Sequence, residues 1–252
     1  MTTVEEPVRG AVLATGAPWL DLGAALVLTV VTAAATWRVL GLEASYLAIA
    51  VGLHLGMGAL LLAGLTPEMR AAGFGAANRI TLTRAVLAMP VLALALLRGP
   101  LDDATRWWII GLGTVVVLLD GLDGRVARAT RTETPFGARF DMELDAALLM
   151  ALSLLVWRDG RVGVWVLLIG LMRYVFVAAG WFQPALAREL PPSFRRKVVC
   201  VVQGVALLVA LGPIVPAPMA LLACAAALAA LVHSFAVDVR WALGAEGAGP
   251  RR

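Results

Sequence analysis

Long apolar stretches with few or no charges recur along this chain, and they restrict it to one kind of fold. They run over Trp19–Thr36, Tyr46–Leu65, Ile80–Leu97, Trp107–Leu122, Ala138–Trp157, Val162–Phe182, Val198–Leu211 and Pro218–Val237. About 20 apolar residues in a helix cross the ~30 Å of hydrocarbon in a bilayer. A helix also satisfies every backbone N–H and C=O within its own segment, which lipid cannot do for it. The apolar fraction of 61% and mean hydropathy of +0.87 exclude an ordinary soluble domain, in which apolar residues make up about 45–50%. The sequence therefore predicts an all-α, polytopic membrane helix bundle of eight spans. The seventh is short and is expected to extend back into Arg195-Arg196-Lys197. All eight Trp except Trp165 fall near the ends of these stretches, where amphipathic rings settle at the interface.

The basic residues set the expected topology. Alternate connecting segments, among them those holding Arg70 and Arg79, Arg125 to Arg139, and Arg188 to Lys197, carry 15 Lys and Arg in all, against 5 in the opposite set, Arg38, Arg98, Arg106, Arg158 and Arg161. The positive-inside bias puts the richer set, with both termini, in the cytoplasm. Glu5 and Glu6 replace the basic start of a secretory signal, so the first stretch is expected to stay in the membrane. Arg outnumbers Lys 20 to 1, a usage that suits a GC-rich bacterial genome, and the expected location is the bacterial cytoplasmic membrane. The net charge of +4 is scattered over short loops, which fits topology and lipid headgroup contacts and no nucleic-acid partner. Cys200 and Cys224 lie in apolar stretches, where a free thiol packs as a small hydrophobe.

Against this background, acidic side chains in apolar segments stand out. Asp120 and Asp123 are three residues apart, and Asp141 and Asp145 four apart, so each pair shares a helix face. The connector Arg128–Phe136 lets the two helices run antiparallel and brings the pairs opposite each other. A carboxylate at bilayer depth costs roughly 2.5–3.5 kcal/mol on insertion scales, so a cluster needs compensation. Hard divalent cations with oxygen ligands provide it, and four carboxylates balance two such ions. Two metals about 3.5–4 Å apart suit in-line displacement at phosphorus. Gly124 leaves room for a close approach to the backbone, and Arg128 offers a fork of donors to a phosphate.

The full string, Asp120-x2-Asp123-Gly124-x2-Ala127-Arg128-x8-Gly137-x3-Asp141-x3-Asp145, resembles the signature of the CDP-alcohol phosphotransferase family at all eight fixed positions. Asn78-x2-Thr81-x2-Arg84 is similar to the family's entry into its first core helix. The resemblance covers roughly 67–237 and implies a six-helix core preceded by two additional N-terminal transmembrane helices. The chain then divides into a cytoplasmic tail (1–18), the two added spans (19–65), the phosphotransferase membrane domain (66–240) and a second tail (241–252). The implied activity transfers a phosphatidyl-type group from a CDP-activated lipid, CDP-diacylglycerol, to the hydroxyl of an acceptor alcohol and releases CMP. By the same resemblance Asp120, Asp123, Asp141 and Asp145 hold two divalent cations, Mg²⁺ or Mn²⁺, and Asp145 acts as general base. Gly124, Ala127, Gly137, Asn78 and Thr81 then border the cytidine, and Arg128 holds the diphosphate.

A second basic group, Arg195, Arg196 and Lys197 with Arg173, reads either as a positive-inside loop or as an anion pocket for a phosphorylated sugar or polyol. Lys197-x2-Cys200-x2-Gln203 is similar to a K-x-x-T-x-x-Q stretch of phosphatidylglycerophosphate synthases, with Cys200 replacing the Thr. His54 is expected to pack or to hydrogen-bond between helices, and Asp21 to lie at the interface. Between the second and third spans, Thr66–Phe74 suits a brief helix along the membrane surface, with Pro67 in its first turn. Small residues in the second and eighth stretches suit close packing, including a homodimer. Intramembrane carboxylates also mark ion pathways. Against a cation or proton transporter stand the Gly/Ala/Arg spacing and the lack of two related halves with broken helices.

Overall fold

In the computed structural model the described residues are 17–67, 74–130, 134–187, 191 and 193–247, without the side chains of 122–130, 187 and 245–247. They form eight α-helices and no strand: α1 (Pro18–Leu40), α2 (Ser45–Gly64), α3 (Gly75–Leu96), α4 (Asp103–Thr130), α5 (Pro135–Arg158), α6 (Leu167–Phe182), α7 (Phe194–Leu211) and α8 (Ala217–Gly247). The brief surface helix expected around 66–74 lies mostly outside the described residues, as does much of both tails.

Helix ends follow local chemistry. Pro18 opens α1, and Gly41 closes it at φ 61°, where the Leu42 N–H donates to Trp37 O at 3.1 Å. That six-to-one bond with a left-handed glycine is a Schellman stop. Asp102 caps α4, accepting from the Thr105 N–H at 2.8 Å. Thr134 caps α5, its hydroxyl accepting from the Gly137 N–H at 3.0 Å, with Pro135 in the first turn.

α3 is the hub, packing against α1, α2, α4 and α5; α5 also meets α6 and α7, and α7 meets α4 and α8. Of its best apolar window 67% is buried, whereas no other long apolar helix exceeds 28%. The outer faces stay apolar instead, with Leu60, Leu118, Trp181 and Phe182 all exposed. An apolar exterior of that extent suits lipid and not water.

Among the described residues, six segments are long and apolar enough to cross a membrane: Pro18–Leu40, Ser45–Gly64, Gly75–Leu96, Asp103–Gly121, Val164–Phe182 and Ala217–Gly244. The two helices outside that set, α5 and α7, carry Arg139, Asp141, Glu143 and Asp145, and Arg195, Arg196 and Lys197. Their charge, not their length, separates them from the others. α4 continues past the end of its apolar stretch at Leu122 to Thr130, into the expected connector; α7 begins at Phe194, reaching back over Arg195-Arg196-Lys197 as expected, and α8 runs on to Gly247.

One end of the bundle is stapled by arginines. Arg158 donates to Leu94 O (2.9 Å), Ala95 O (3.1 Å) and Gly99 O (2.9 Å), covering carbonyls at the α3 C-terminus. The buried Asp159 carboxylate pairs with Arg106 at 2.5 Å and with Arg161. Arg161 also donates to Gly212 O (2.9 Å) and Val215 O (2.8 Å). On the other side of the hub, Asp21 of α1 pairs with Arg79 of α3 at 3.0 Å. His54 Nδ1 of α2 lies 2.9 Å from Thr29 Oγ1 of α1, the interhelical bond its setting suggested.

Candidate active site

The site forms where the first halves of α3 and α5 meet the second half of α4, at the end of the bundle away from the arginine staple. Asp120 of α4 and Asp141 and Asp145 of α5 each present a carboxylate oxygen, and these oxygens all lie within 4.8 Å of one another. At the centre stands Arg84 of α3, only 1% exposed. Its Nη2 lies 2.9 Å from Asp120 Oδ1 and donates to Asp145 Oδ1 at 2.6 Å, and its Nη1 donates to Asp141 Oδ1. A buried guanidinium is tolerable only with such company, because an unpaired one keeps its full desolvation penalty.

Cys200 of α7 closes the fourth side, its thiol donating to Asp145 Oδ2 at 3.8 Å. A cavity beside Arg84 is bordered by Val117, Asp120, Asp145, Leu148, Cys200 and Gly204. A Cβ at Gly204 would stand 3.3 Å from Val117 Cγ2, so the glycine lets α7 close on α4. Three convergent carboxylates form a hard oxygen donor set of the kind that Mg²⁺ and Mn²⁺ take.

Other expected site residues fall around this centre. Asp123, Gly124, Ala127 and Arg128 all lie on α4 beyond Asp120, and their side chains are outside the described residues. Gly137 lies in the first turn of α5, where an added Cβ would stand 2.2 Å from Asn78 Oδ1. Asn78 is buried and donates from Nδ2 to Phe74 O at 2.8 Å, and the Thr81 hydroxyl donates to Ala77 O at 3.3 Å. Asn78 thus sits between α3 and the N-terminal turn of α5.

The basic group is engaged with acids and carbonyls. Arg173 pairs with Glu143. Arg195 contacts Ser234 and pairs with Asp238 at 2.5 Å, and Arg196 pairs with the same Asp238 oxygen at 3.1 Å. Lys197 is exposed. Arg196 precedes Cys200 by four residues, one turn or about 6 Å along α7.

Sequence reasoning gave Arg84 no place in the site. The available signal was its register: Asn78, Thr81 and Arg84 recur every third residue on one face of a long apolar helix, and a cation inside such a helix needs an acidic partner.

An all-helical apolar bundle enclosing this donor set is an integral membrane protein with a cluster able to hold a divalent cation. The chain matches the family model described as CDP-alcohol phosphatidyltransferase over residues 74–235, and it belongs to that family. The match opens at Phe74, just before α3, and ends within α8, so α1 and α2 precede it. The family is divalent-metal dependent and transfers a phosphatidyl group from a CDP-alcohol donor to an alcohol acceptor. Comparison with curated proteins and with solved structures returned no significant match.

Proposed function

We propose that this protein transfers a phosphatidyl-type group from CDP-diacylglycerol to the hydroxyl of a phosphorylated polyol and releases CMP. The observation that carries the reading is the convergence of Asp120, Asp141 and Asp145 within 4.8 Å, inside the family-matched segment. Asp123, one turn beyond Asp120 on α4, is assigned with them by its place in the signature. These four carboxylates are the residues that would hold two divalent cations, Mg²⁺ or Mn²⁺. When bound, such a pair supplies Lewis-acid stabilisation to the attacking and leaving oxygens of an in-line displacement at phosphorus.

The chain's own residues do the rest. Asp145 takes the proton of the acceptor hydroxyl. The acceptor oxygen bonds to the donor's β-phosphorus, the bond from that phosphorus to the bridging oxygen breaks, and CMP departs with the electron pair. Arg128 is assigned to the diphosphate, and Gly124, Ala127, Gly137, Asn78 and Thr81 to the nucleotide side. Arg173, Arg195, Arg196 and Lys197 are assigned to the acceptor phosphate. In support, Arg196 lies one helical turn before the cysteine that touches Asp145. An acceptor anion there replaces the Asp238 carboxylate at Arg195 and Arg196.

We further assign α5 and α7 as spans, which gives eight, with the site and both termini cytoplasmic in a bacterial cytoplasmic membrane. Gly52 and Gly56 of α2 are exposed with open space above each, a small-residue face that suits a homodimer. The test is CMP release by purified protein given Mg²⁺, CDP-diacylglycerol and a panel of alcohol and polyol phosphate acceptors. Activity with one acceptor, its loss on chelation and its loss in Asp145→Asn are expected. No release with any acceptor, or full activity in Asp145→Asn, overturns the reading. Arg195→Ala and Arg196→Ala should raise the acceptor KM more than the donor KM, whereas equal changes remove the acceptor assignment.

A further inference from the structure

We infer that Arg84 is the resident counter-ion of the carboxylate cluster: it holds Asp120, Asp141 and Asp145 together before any divalent cation arrives, and the ion must compete with it for the same carboxylates. The geometry carries this. One guanidinium, 1% exposed, meets three carboxylates from two other helices through its two terminal nitrogens. Those three residues are also the ones whose oxygens converge closely enough to share an ion.

Three carboxylates brought this close repel one another strongly in a medium less polar than water. Without an internal cation they would have to separate or take up protons. Arginine suits the task better than lysine would. Its planar fork reaches several acceptors at once, and it stays charged at any pH the protein meets. Arg84 also belongs to α3, the hub against which α4 and α5 pack, so its backbone fixes where the two acidic helices must converge. It is a positioning residue, acting on the reaction through the carboxylates it gathers.

The pairing has a consequence for metal binding. Each ion that enters must draw on carboxylates already paired with Arg84, while the guanidinium charge remains nearby. Arg84 therefore weakens metal affinity and at the same time removes the protein's dependence on metal for a folded site.

This rests on the cluster taking divalent cations, and the experiment separates the two ideas. Wild type and Arg84→Gln are purified and their thermal midpoints measured with chelator and with saturating Mg²⁺; Mn²⁺ affinity is read by electron paramagnetic resonance. With chelator, Arg84→Gln is expected to melt about 10 °C below wild type, as for loss of one partner of a buried ion pair. Mg²⁺ should close most of that gap. Mn²⁺ should bind the variant about tenfold more tightly, the order of effect a nearby unit charge imposes. An equal deficit with chelator and with Mg²⁺, or Mn²⁺ affinity unchanged or weaker, overturns the inference.

The double variant Arg84→Gln/Asp120→Asn removes one charge of each sign and should regain much of the midpoint in chelator. Failure to regain it also overturns the inference, and this arm decides if Arg84→Gln alone cannot be recovered folded. If wild type binds no Mn²⁺, the metal reading falls and the inference with it. Should wild type bind Mn²⁺ while the variant behaves identically, only the role of Arg84 falls.

Discussion

Gly137 illustrates how one residue carries two kinds of information. In sequence it is a fixed glycine of the signature, and the resemblance implies space for a nucleotide. Structurally it is where α5 meets Asn78, with room for no side chain: a Cβ would stand 2.2 Å from Asn78 Oδ1 and 3.1 Å from Thr134 Oγ1. Asn78 cannot easily retreat, being buried and tied to Phe74 O. Gly137→Ala should therefore cost roughly 1–3 kcal/mol, as overpacking of a tight contact does. In an Asn78→Ala background the added methyl loses its worst clash and keeps only the 3.1 Å approach to Thr134 Oγ1, so the double variant should be more stable than the two single losses summed. Residues in direct contact commonly show such coupling. Chemical denaturation of the four proteins in one detergent measures it, and additive losses would mean that Asn78 is not what the glycine accommodates.

At the scale of elements, Asp102 sets where α4 begins, and α4 carries Asp120 to the site. Hydrogen bonds from Thr105, side chain and then backbone, pull the Asp102 carboxyl below the usual carboxylate range. A depressed folded-state pKa contributes stability that is present above the unfolded value and lost as pH falls through the folded one. Asp102→Ala should thus cost about 1 kcal/mol near neutrality, and the gap to wild type should shrink in acid, below the ordinary range for a carboxylate. Thermal midpoints of both proteins at neutral and acidic pH test this; a gap that persists in acid would mean the cap works without its charge. All eight helices were legible as apolar stretches, because lipid-facing and buried surfaces are both apolar and leave one continuous signal. Their ends were less so. The helical reach of α4 to Ala127 and of α7 back into Arg195-Arg196-Lys197 came from spacing and not from hydropathy, and only the last turn of α4, Arg128 to Thr130, falls where a connector is expected. Asp120, Asp141 and Asp145 were legible through their spacing. Arg84 was not, because its meaning lies in three partners between 36 and 61 residues away, as Asp120 and Asp145 stand from it.

For the whole molecule, the arginine staple bears on the number of spans. It gathers the C-terminal ends of α3 and α5, the start of α4, and the turn between α7 and α8 at one end of the bundle. The carboxylates lie toward the opposite ends of α3, α4 and α5. If α3 and α4 cross the bilayer, α5 and α7 reach the same face as they do, despite charges that lower their hydropathy. Four of those charges are compensated inside the bundle: Arg84 faces Asp141 and Asp145 of α5, and Asp238 faces Arg195 and Arg196 of α7. The proposed eight spans rest on that argument, and labelling of intact cells tests them. In a background with both native cysteines replaced by alanine, single cysteines at Arg98, Val164 and Ile214 should react with a membrane-impermeant maleimide. Cysteines at Thr66 and Pro191 should react only after permeabilisation. All five positions are exposed on the protein, so protection reports the side of the membrane and not burial. Protection at Val164 together with reaction at Arg98 would mean that α5 does not cross, leaving the carboxylates without the bilayer depth that makes their pairing with Arg84 necessary.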